Sequence, residues 1–512
     1  MRGCILLPMT HEPDQPRDRR SDAVVTPQDQ PTDPARATSS SARGLLWKLG
    51  LHRPELRAWA MYDWANSAFV TVIMTAVFPI YFSKVACAGL RPETATSRYG
   101  LATTLGLVII AVLSPVLGAM ADFLPIKKWL LGFFLSHGVV TVALMFFVDR
   151  GDWLLAVVLF ILSNIAVNGS FVFYDALLPH VAREDEMDRV STAGYALGYV
   201  GGGLLLAVNL LMILKPNLFG LPGGTLPTRL AFLSVAVWWM VFSIPLFLRV
   251  REPEIRVGSL AGSASSASSN LPVCDLERPA QSPVATGEGG SPVKVASPVR
   301  LAFAQLAQTF RELRGYRNAF LMLLAFLVYN DGIGTIIRMA TIYGTEIGID
   351  DNVMIAAILI TQFVGIPFAF LFGSLAGRIG TRPSILLGLA AYTFISLVGY
   401  FMKTGTHFLI LAVMVGMVQG GTQALSRSLF ASLIPRYQSG QFFGFFAVVE
   451  KFAGIFGPAV FTAMIYLTGT SRAAILSVIA FFVVGALLLL LVKVEEGQRI
   501  AREAESRARP AV

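Results

Sequence analysis

Most residues of this sequence that could do chemistry are single charged or amide side chains inside long apolar segments. Asp331 is the clearest case, because it lies about 20 Å along a helix that would start near residue 318. Asp331, Thr335 and Arg338 follow helical spacing and share one face. An ionisable group at this depth costs roughly 2.5–3.5 kcal/mol, so Asp331 and its neighbour Asn330 are functional candidates. Such a carboxylate could bind a proton or orient a solute; the alternative is a structural Asp satisfied by nearby hydroxyl groups.

Asp63 is a second acidic candidate, in the first apolar segment. It lies only about 8 Å into that segment, if the helix starts near residue 58. Trp59, Tyr62 and Trp64 surround it and are typical of an aromatic belt at the membrane interface. Asp63 is therefore predicted to be either a partly hydrated interfacial residue or a substrate or proton site.

Polar stripes also occur in the predicted fourth and tenth spans. Asn168 and Asp175 share a face in one, and Gln419, Gln423 and Arg427 in the other. Amide groups in membrane helices contribute about 0.6 kcal/mol on average through interhelical hydrogen bonds, so helix packing and solute binding both remain open for them. Asp175 is expected to end its span at a depth similar to that of Arg427, which predicts a salt bridge that gates the cytoplasmic end.

Glu450 is a further proton-site candidate, and its neighbour Lys451 cannot pair with it well because successive helix residues point about 100° apart. No metal site or cofactor is expected. Cys4, Cys87 and Cys274 form no CxxC motif and lie in different regions, which argues against a disulfide framework or a structural zinc site.

The composition is that of a membrane protein. Of 512 residues, 54% are hydrophobic and only 14% charged, against roughly 25% charged in soluble domains. The net charge is +9, but Lys and Arg lie in short gaps between apolar segments instead of clustering on a soluble face. This distribution argues against a nucleic-acid partner and predicts the lipid bilayer as the protein's surroundings.

Twelve apolar segments have about the 20 residues that a transmembrane helix needs. They cover roughly 58–82, 98–120, 129–148, 153–174, 190–213, 229–248, 318–343, 353–375, 384–402, 407–429, 442–466 and 473–492. Lys and Arg are scarce in the odd-numbered gaps and frequent in the even-numbered gaps and both tails, which predicts that both termini are cytoplasmic. The expected fold is an all-α, multi-pass membrane protein with two six-helix halves.

Five regions follow from this pattern. They are a disordered cytoplasmic tail (1–57), an N-terminal half (58–250), a cytoplasmic linker (251–316), a C-terminal half (317–493) and a cytoplasmic C-terminal tail (494–512). The linker is rich in Ser, Ala, Gly and Pro over 258–297, as flexible segments are. Phe303, Leu306, Phe310 and Leu313 then repeat at helical spacing, which predicts an amphipathic helix that lies on the membrane or packs on the bundle.

A loop motif after the second span resembles that of the major facilitator superfamily. Gly118, Asp122, Lys127 and Lys128 match its glycine, acidic and basic positions, and Asp122 is thereby a third gate candidate. In that superfamily, spans 1, 4, 7 and 10 line a central cavity, and the polar stripes described above fall on these same four spans. The resemblance therefore implies the major facilitator fold.

More specific motifs point to one branch. The run from Trp59 to Phe69, WAMYDWANSAF, resembles the opening of the autophagy-related vacuole effluxer-like family, as do YNDG at Tyr329–Gly332 and QGGTQALSR at Gln419–Arg427. The glycine-rich run ALGYVGGG at Ala196–Gly203 also fits, although close helix packing is the better interpretation of its glycines. Fungal members of that family release amino acids from the vacuole, so the resemblance implies amino-acid efflux.

The sequence predicts a secondary transporter that works by alternating access on a small solute, with proton-coupled amino-acid efflux as the specific hypothesis. A primary pump is disfavoured because the chain lacks a GxxxxGK[ST] phosphate loop, and an enzyme is not expected. A lipid or sugar transporter of the same fold, and a receptor or scaffold without flux, remain alternatives. The expected location is the cytoplasmic membrane of a bacterium, or a vacuolar or other endomembrane of a fungus.

Overall fold

The computed structural model describes the helical bundle but not residues 253–297 of the long linker. The residues it describes are 44, 46–90, 98–99, 101–102, 105–106, 108–110, 112–114, 117–118, 121, 125–252, 298–346, 348–452, 456–468 and 471–508. Leu45–Val512 form one compact unit, and Met1–Gly44 form another, of which only Gly44 is described. Residues 1–43 of the predicted disordered tail and most of the 251–316 linker therefore lie outside the described residues. The prediction of disorder is wrong for Leu46–Arg57, because Leu51 and Leu56 are buried against the bundle and a helix begins at Pro54.

Helices are the only regular structure in the described part of the chain. In the N-terminal half they are α1 (Pro54–Ala86), α2 (the helical residues described between 98 and 121), α3 (Lys127–Phe147), α4 (Trp153–Val181), α5 (Met187–Leu214) and α6 (Leu226–Arg249). The rest are α7 (Pro298–Gly315), α8 (Arg317–Glu346), α9 (Asp351–Ile379), α10 (Thr381–Tyr400), α11 (Gly405–Ser432), α12 (Ser439–Phe452), α13 (Phe456–Thr468), α14 (Ser471–Leu490) and α15 (Val494–Arg507).

Nine helices of the described residues are long and apolar enough to cross a membrane, and ten if the pair Ala474–Leu490 and Val494–Arg507, bent by 60°, counts as one span. The second predicted span corresponds to α2, and the eleventh to α12 and α13 together. Within the part of the chain that the structure describes, each predicted segment overlaps helical residues. The fold is all-α, as expected.

One boundary prediction is wrong in a way that affects function. The fourth span was expected to end at residue 174, with Asp175 as its terminal residue, but α4 continues to Val181. A single charged residue does not end a helix when a partner compensates it, and the next residues, Ala176–Leu178, are apolar and buried. Asp175 consequently lies inside the helix.

The first helix is irregular where it follows the cavity described below. After Ala68 it widens into π-helical turns over Phe69–Ala76 and Phe82–Ala86. The amide of Val77 donates to the Val72 carbonyl at 2.8 Å, five residues back. Such widened turns concentrate at functional sites.

The helix that follows the linker packs on the bundle. Phe310 of α7 contacts Phe320 of α8 at 5.4 Å and Phe445 of α12 at 6.1 Å between ring centroids. Gln441 of α12 donates a hydrogen bond to the Glu312 carboxylate at 2.8 Å. The amphipathic helix α7 is therefore packed on the bundle, which is one of the two predictions made for it.

The two halves touch at one end of the bundle, which we call the tail end because the first and last described helices of the compact unit lie there. Arg502 of α15 approaches Glu184, in the loop between α4 and α5, at 3.8 Å. Near the middle of these helices, Tyr199 of α5 also packs against Gly365 of α9 and Gly420 of α11. The glycines provide room for the tyrosine ring, so the halves approach closely.

Candidate functional site

A cavity of about 900 Å³ lies between the two halves. Its walls come from both of them and carry many polar side chains: Asp63, Asn66, Ser67, Thr71, Thr75, Asn168, Asp175, Tyr195, Asn330, Thr335, Thr361, Gln362, Ser396, Gln419, Gln423, Arg427 and Glu450. It runs from Arg427 near the tail end along α1 to Thr75, whose side chain is exposed. The cavity is therefore closed at the tail end and reaches solvent-accessible residues in the other direction.

The cavity brings together most of the residues predicted from sequence. Asp63, Asn168, Asn330, Gln419, Gln423 and Glu450 line it, and so do the gate candidates Asp175 and Arg427. Asp122, the third gate candidate, lies outside the described residues. Asp331 is the candidate that does not line the cavity.

Arg427 is the centre of an ion-pair cluster that joins the halves. Its Nη1 lies 3.1 Å from Asp175 Oδ1, and its Nη2 lies 3.2 Å from Asp63 Oδ2. The Arg427 side chain is only 5% exposed. A buried charge is stable only with paired charges and additional hydrogen bonds, and here two carboxylates of the N-terminal half supply the pairing for one arginine of the C-terminal half.

Hydrogen bonds fix the position of this cluster. The Tyr174 hydroxyl donates to Asp63 Oδ2 at 2.8 Å, and the Trp59 indole N–H donates to the Tyr174 carbonyl at 3.1 Å. Arg427 Nε donates to Ser191 Oγ at 3.0 Å, and that hydroxyl donates to the Ala424 carbonyl at 2.8 Å. The guanidinium orientation is thus set from three helices.

Aromatic rings complete the surroundings of Arg427. Its guanidinium carbon lies 4.9 Å from the Trp59 ring centroid, 5.6 Å from that of Tyr174 and 4.7 Å from that of Tyr195. These distances lie within the range of cation–π attraction. We call the set Asp63, Asp175, Trp59, Tyr174 and Tyr195 the Arg427 cage; all five belong to the N-terminal half.

The environment of Asp63 corrects the interpretation of its neighbours. Trp59 and Tyr62 are fully buried, and Asp63 is 6% exposed, so these residues form no interfacial belt. The reason is that α1 lies inside the bundle, packed against α5 and α6. Asp63 is therefore not an interfacial residue; it lies inside the bundle and lines the cavity.

The glycines of α5 allow this arrangement. A β-carbon at Gly194 would collide with the Asp63 carboxylate, and one at Gly198 would collide with the Ser67 hydroxyl. The glycines of α5 thus allow close packing against α1, which is the simpler interpretation of this glycine-rich run.

A second polar contact across the halves was not predicted from sequence. Asp188 of α5 accepts hydrogen bonds from the hydroxyls of Thr381 on α10 and Ser428 on α11. Nearby, the Ser439 hydroxyl donates to the Ala176 carbonyl at 3.0 Å and lies 3.1 Å from His180 Nε2. Asp188 lies in a charged stretch at the start of α5, and such stretches are typical of solvated loops. The sequence therefore gave little indication that Asp188 contacts the other half.

Asp331 lies behind the cavity wall. Its side chain is buried, and Oδ2 accepts a hydrogen bond at 2.7 Å from the backbone N–H of Gly457, the second residue of α13. Asp331 thus binds the backbone of the eleventh span through its Oδ2. Its neighbours Asn330 and Thr335 line the cavity, whereas the Arg338 side chain is not described.

Comparisons with known proteins agree with this architecture. The profile of the family described as "Vacuole effluxer Atg22 like" matches residues 89–502. An uncharacterized MFS-type transporter, YxiO of Bacillus subtilis, is 34% identical over 87% of this chain and 96% of its own. Autophagy-related protein 22 of Coccidioides immitis is 23% identical over 88% of each chain.

Solved structures show the same fold. The proton:xylose symporter XylE, of the major facilitator superfamily, aligns with a TM-score of 0.62 at 13% identity and covers 87% of this chain and 98% of its own. FucP in the outward conformation aligns with a TM-score of 0.59 at 12% identity, covering 86% and 100%. The chain therefore belongs to the Atg22-like vacuole effluxer family and has the fold of the major facilitator transporters.

Proposed function

We propose that this protein is a secondary carrier that moves a small solute by alternating access, with amino acids as the leading cargo and protons as the coupling ion. The observation that carries the proposal is the cavity between the halves, closed at the tail end by the Arg427 ion pairs. Its volume of about 900 Å³ falls within the roughly 300–1,000 Å³ typical of small-molecule sites.

The cluster at the tail end supports an alternating mechanism. Arg427 and Ser428 belong to the C-terminal half, and their partners Asp63, Asp175 and Asp188 to the N-terminal half. Opening the tail end must break these contacts together, and closing it must form them again. The excess of Lys and Arg in the even gaps favours a cytoplasmic tail end, so we assign this structure to an outward-facing state.

The charges of the cavity support an amine-bearing, proton-coupled cargo. Asp63 and Asp175 line the cavity with one basic residue in the described part of its wall, Arg427. Two carboxylates on one guanidinium leave an excess of negative charge, which a bound proton or a substrate ammonium group would offset. The amides of Gln419 and Gln423 could bind a substrate carboxylate, but they would equally suit sugar hydroxyl groups, so sugars are the second candidate.

The test is uptake and counterflow in liposomes that contain the purified protein, with a panel of amino acids and sugars, with and without a pH gradient. Amino-acid flux that responds to the gradient is expected. A matched control carries cysteines at His180 and Ser439, whose side chains lie 3.1 Å apart, in a background without the native cysteines. A short thiol cross-linker should abolish flux in this variant. Absence of flux for every solute, or full flux with the halves cross-linked, would refute the proposal.

A further inference from the structure

We propose that the Arg427 cage is the binding site for the cationic group of the substrate, and that Arg427 is a tethered competitor that occupies this site while the tail end is closed. The substrate class that follows is a solute with an ammonium or guanidinium group. The inference rests on the proposed carrier function and adds to it a recognition site and a reason for the gate to open.

The division of the cage between the halves is the first argument. Asp63 and Trp59 are on α1, Tyr174 and Asp175 on α4, and Tyr195 on α5, whereas Arg427 enters from α11. Separation of the halves at the tail end must therefore withdraw the guanidinium and leave the other five residues behind. Two carboxylates beneath aromatic rings are the chemistry that binds organic cations.

Unused hydrogen-bonding capacity is the second argument. Asp63 pairs with Arg427 and Tyr174 through Oδ2 alone, and Asp175 pairs with Arg427 through Oδ1 alone. Among the described residues, no hydrogen bond is made to Asp63 Oδ1 or Asp175 Oδ2. Both residues line the cavity, so a cation that enters it can begin to bind before Arg427 leaves.

Electrostatics favours the same place. Glu450 lines the cavity, as Asp175 and Tyr195 do. Arg427 is the only basic side chain among the described residues that line the cavity. The cage holds two carboxylates for one guanidinium, so an entering ammonium group is attracted to it.

Competition links binding to opening. A ligand shifts a conformational equilibrium only by its difference in affinity between the two states. Here Arg427 fills the cage only in the tail-closed state, so a cation that takes its place binds the tail-open state more tightly. A neutral solute of the same size gains nothing from the cage and leaves the equilibrium unchanged.

The first measurement uses the Arg427→Ala variant with methylguanidinium, and with neutral methylurea as the probe of matched shape. The vacated cage should bind methylguanidinium and raise the thermal unfolding midpoint by roughly 1–3 °C at saturating probe. Methylurea should cause no shift. The same shift in Arg427→Ala/Asp63→Asn, or no shift in Arg427→Ala, would overturn the proposal.

The second measurement needs no change at the cage. Thr192 of α5 is buried at the contact between the halves, and Ser243 of α6 is buried within one half. In a background without the native cysteines, methylguanidinium should accelerate thiol labelling of Thr192→Cys several-fold and leave Ser243→Cys unchanged. If methylguanidinium and methylurea give the same labelling rate of Thr192→Cys, the inference is refuted.

These results separate the inference from the function on which it rests. Flux of neutral solutes with no effect of cations on labelling would leave the carrier intact and remove the cage as a recognition site. Cage binding with no flux of any solute would support the site and refute the carrier.

Discussion

Replacing Arg427 by glutamine should shift the protein strongly towards the tail-open state. The substitution leaves the buried carboxylates of Asp63 and Asp175 without their cation. Breaking a buried pair by removing one partner costs roughly 3–5 kcal/mol, which corresponds to roughly a 100- to 4,000-fold change in the balance of states. In the tail-open state both carboxylates are hydrated, so nearly the whole penalty falls on the closed state.

The two acidic partners should matter less than the arginine. Asp175→Asn leaves Arg427 paired with Asp63, and the new amide oxygen can still accept from Nη1. We expect a cost of about 1 kcal/mol, or roughly fivefold. Exchanging the charges of Asp175 and Arg427 should restore only part of the closed population, because the new acidic group at position 427 faces Asp63.

The assay is tail-side labelling of Thr192→Cys by a membrane-impermeant thiol reagent in oriented liposomes. Arg229→Gln is the matched control, because Arg229 pairs with the half-exposed Asp149 away from the cage. Surface pairs of that kind contribute about 0–1 kcal/mol. If Arg427→Gln increases labelling no more than Asp175→Asn or Arg229→Gln does, the cluster does not hold the tail end closed.

Four further predictions follow, two from other contacts and two from the sequence. Asp331→Ala should destabilise the protein by roughly 1.5–3 kcal/mol through loss of the bond from Gly457, while Asp331→Asn should keep most of the stability and the counterflow; normal folding with lost coupling in Asp331→Asn would instead favour a proton role. Gly457→Ala should lower the thermal midpoint because its β-carbon meets the Thr335 hydroxyl, and Thr335→Ala should rescue it; additive losses would exclude this clash. Deleting most of 258–297 should leave the midpoint and flux unchanged, and reporter tags at both termini should read cytoplasmic; a tag on the far side would exclude the predicted topology.

The sequence sufficed for the helices and for the Arg427–Asp175 contact. Spans of about 20 apolar residues leave few choices of fold, and two opposite charges at similar depth in opposite halves have few other partners in a membrane. The two residues do form an ion pair at 3.1 Å. Its role as a gate stays a prediction until opening is measured.

The other features of the site depend on which helices are neighbours, and the sequence alone does not give this. Aromatic residues near a helix end are typical of both an interface and a buried core, and only the packing of α1 inside the bundle distinguishes the two for Trp59. The partner of Asp331 is the backbone N–H group of Gly457, which side-chain patterns do not reveal. Asp188 was missed because a carboxylate that accepts from two hydroxyls leaves no charge pattern in the sequence.

The close fit between α5 and α1 has an evolutionary consequence. Because Gly194 leaves room for the Asp63 carboxylate and Gly198 for Ser67, the positions on the two helices cannot change independently. A relative with a larger residue at the position of Gly194 should have a smaller or uncharged residue in place of Asp63, and its arginine on α11 should then have changed as well. We therefore expect related proteins to fall into two groups, which replace these three positions together or keep all three.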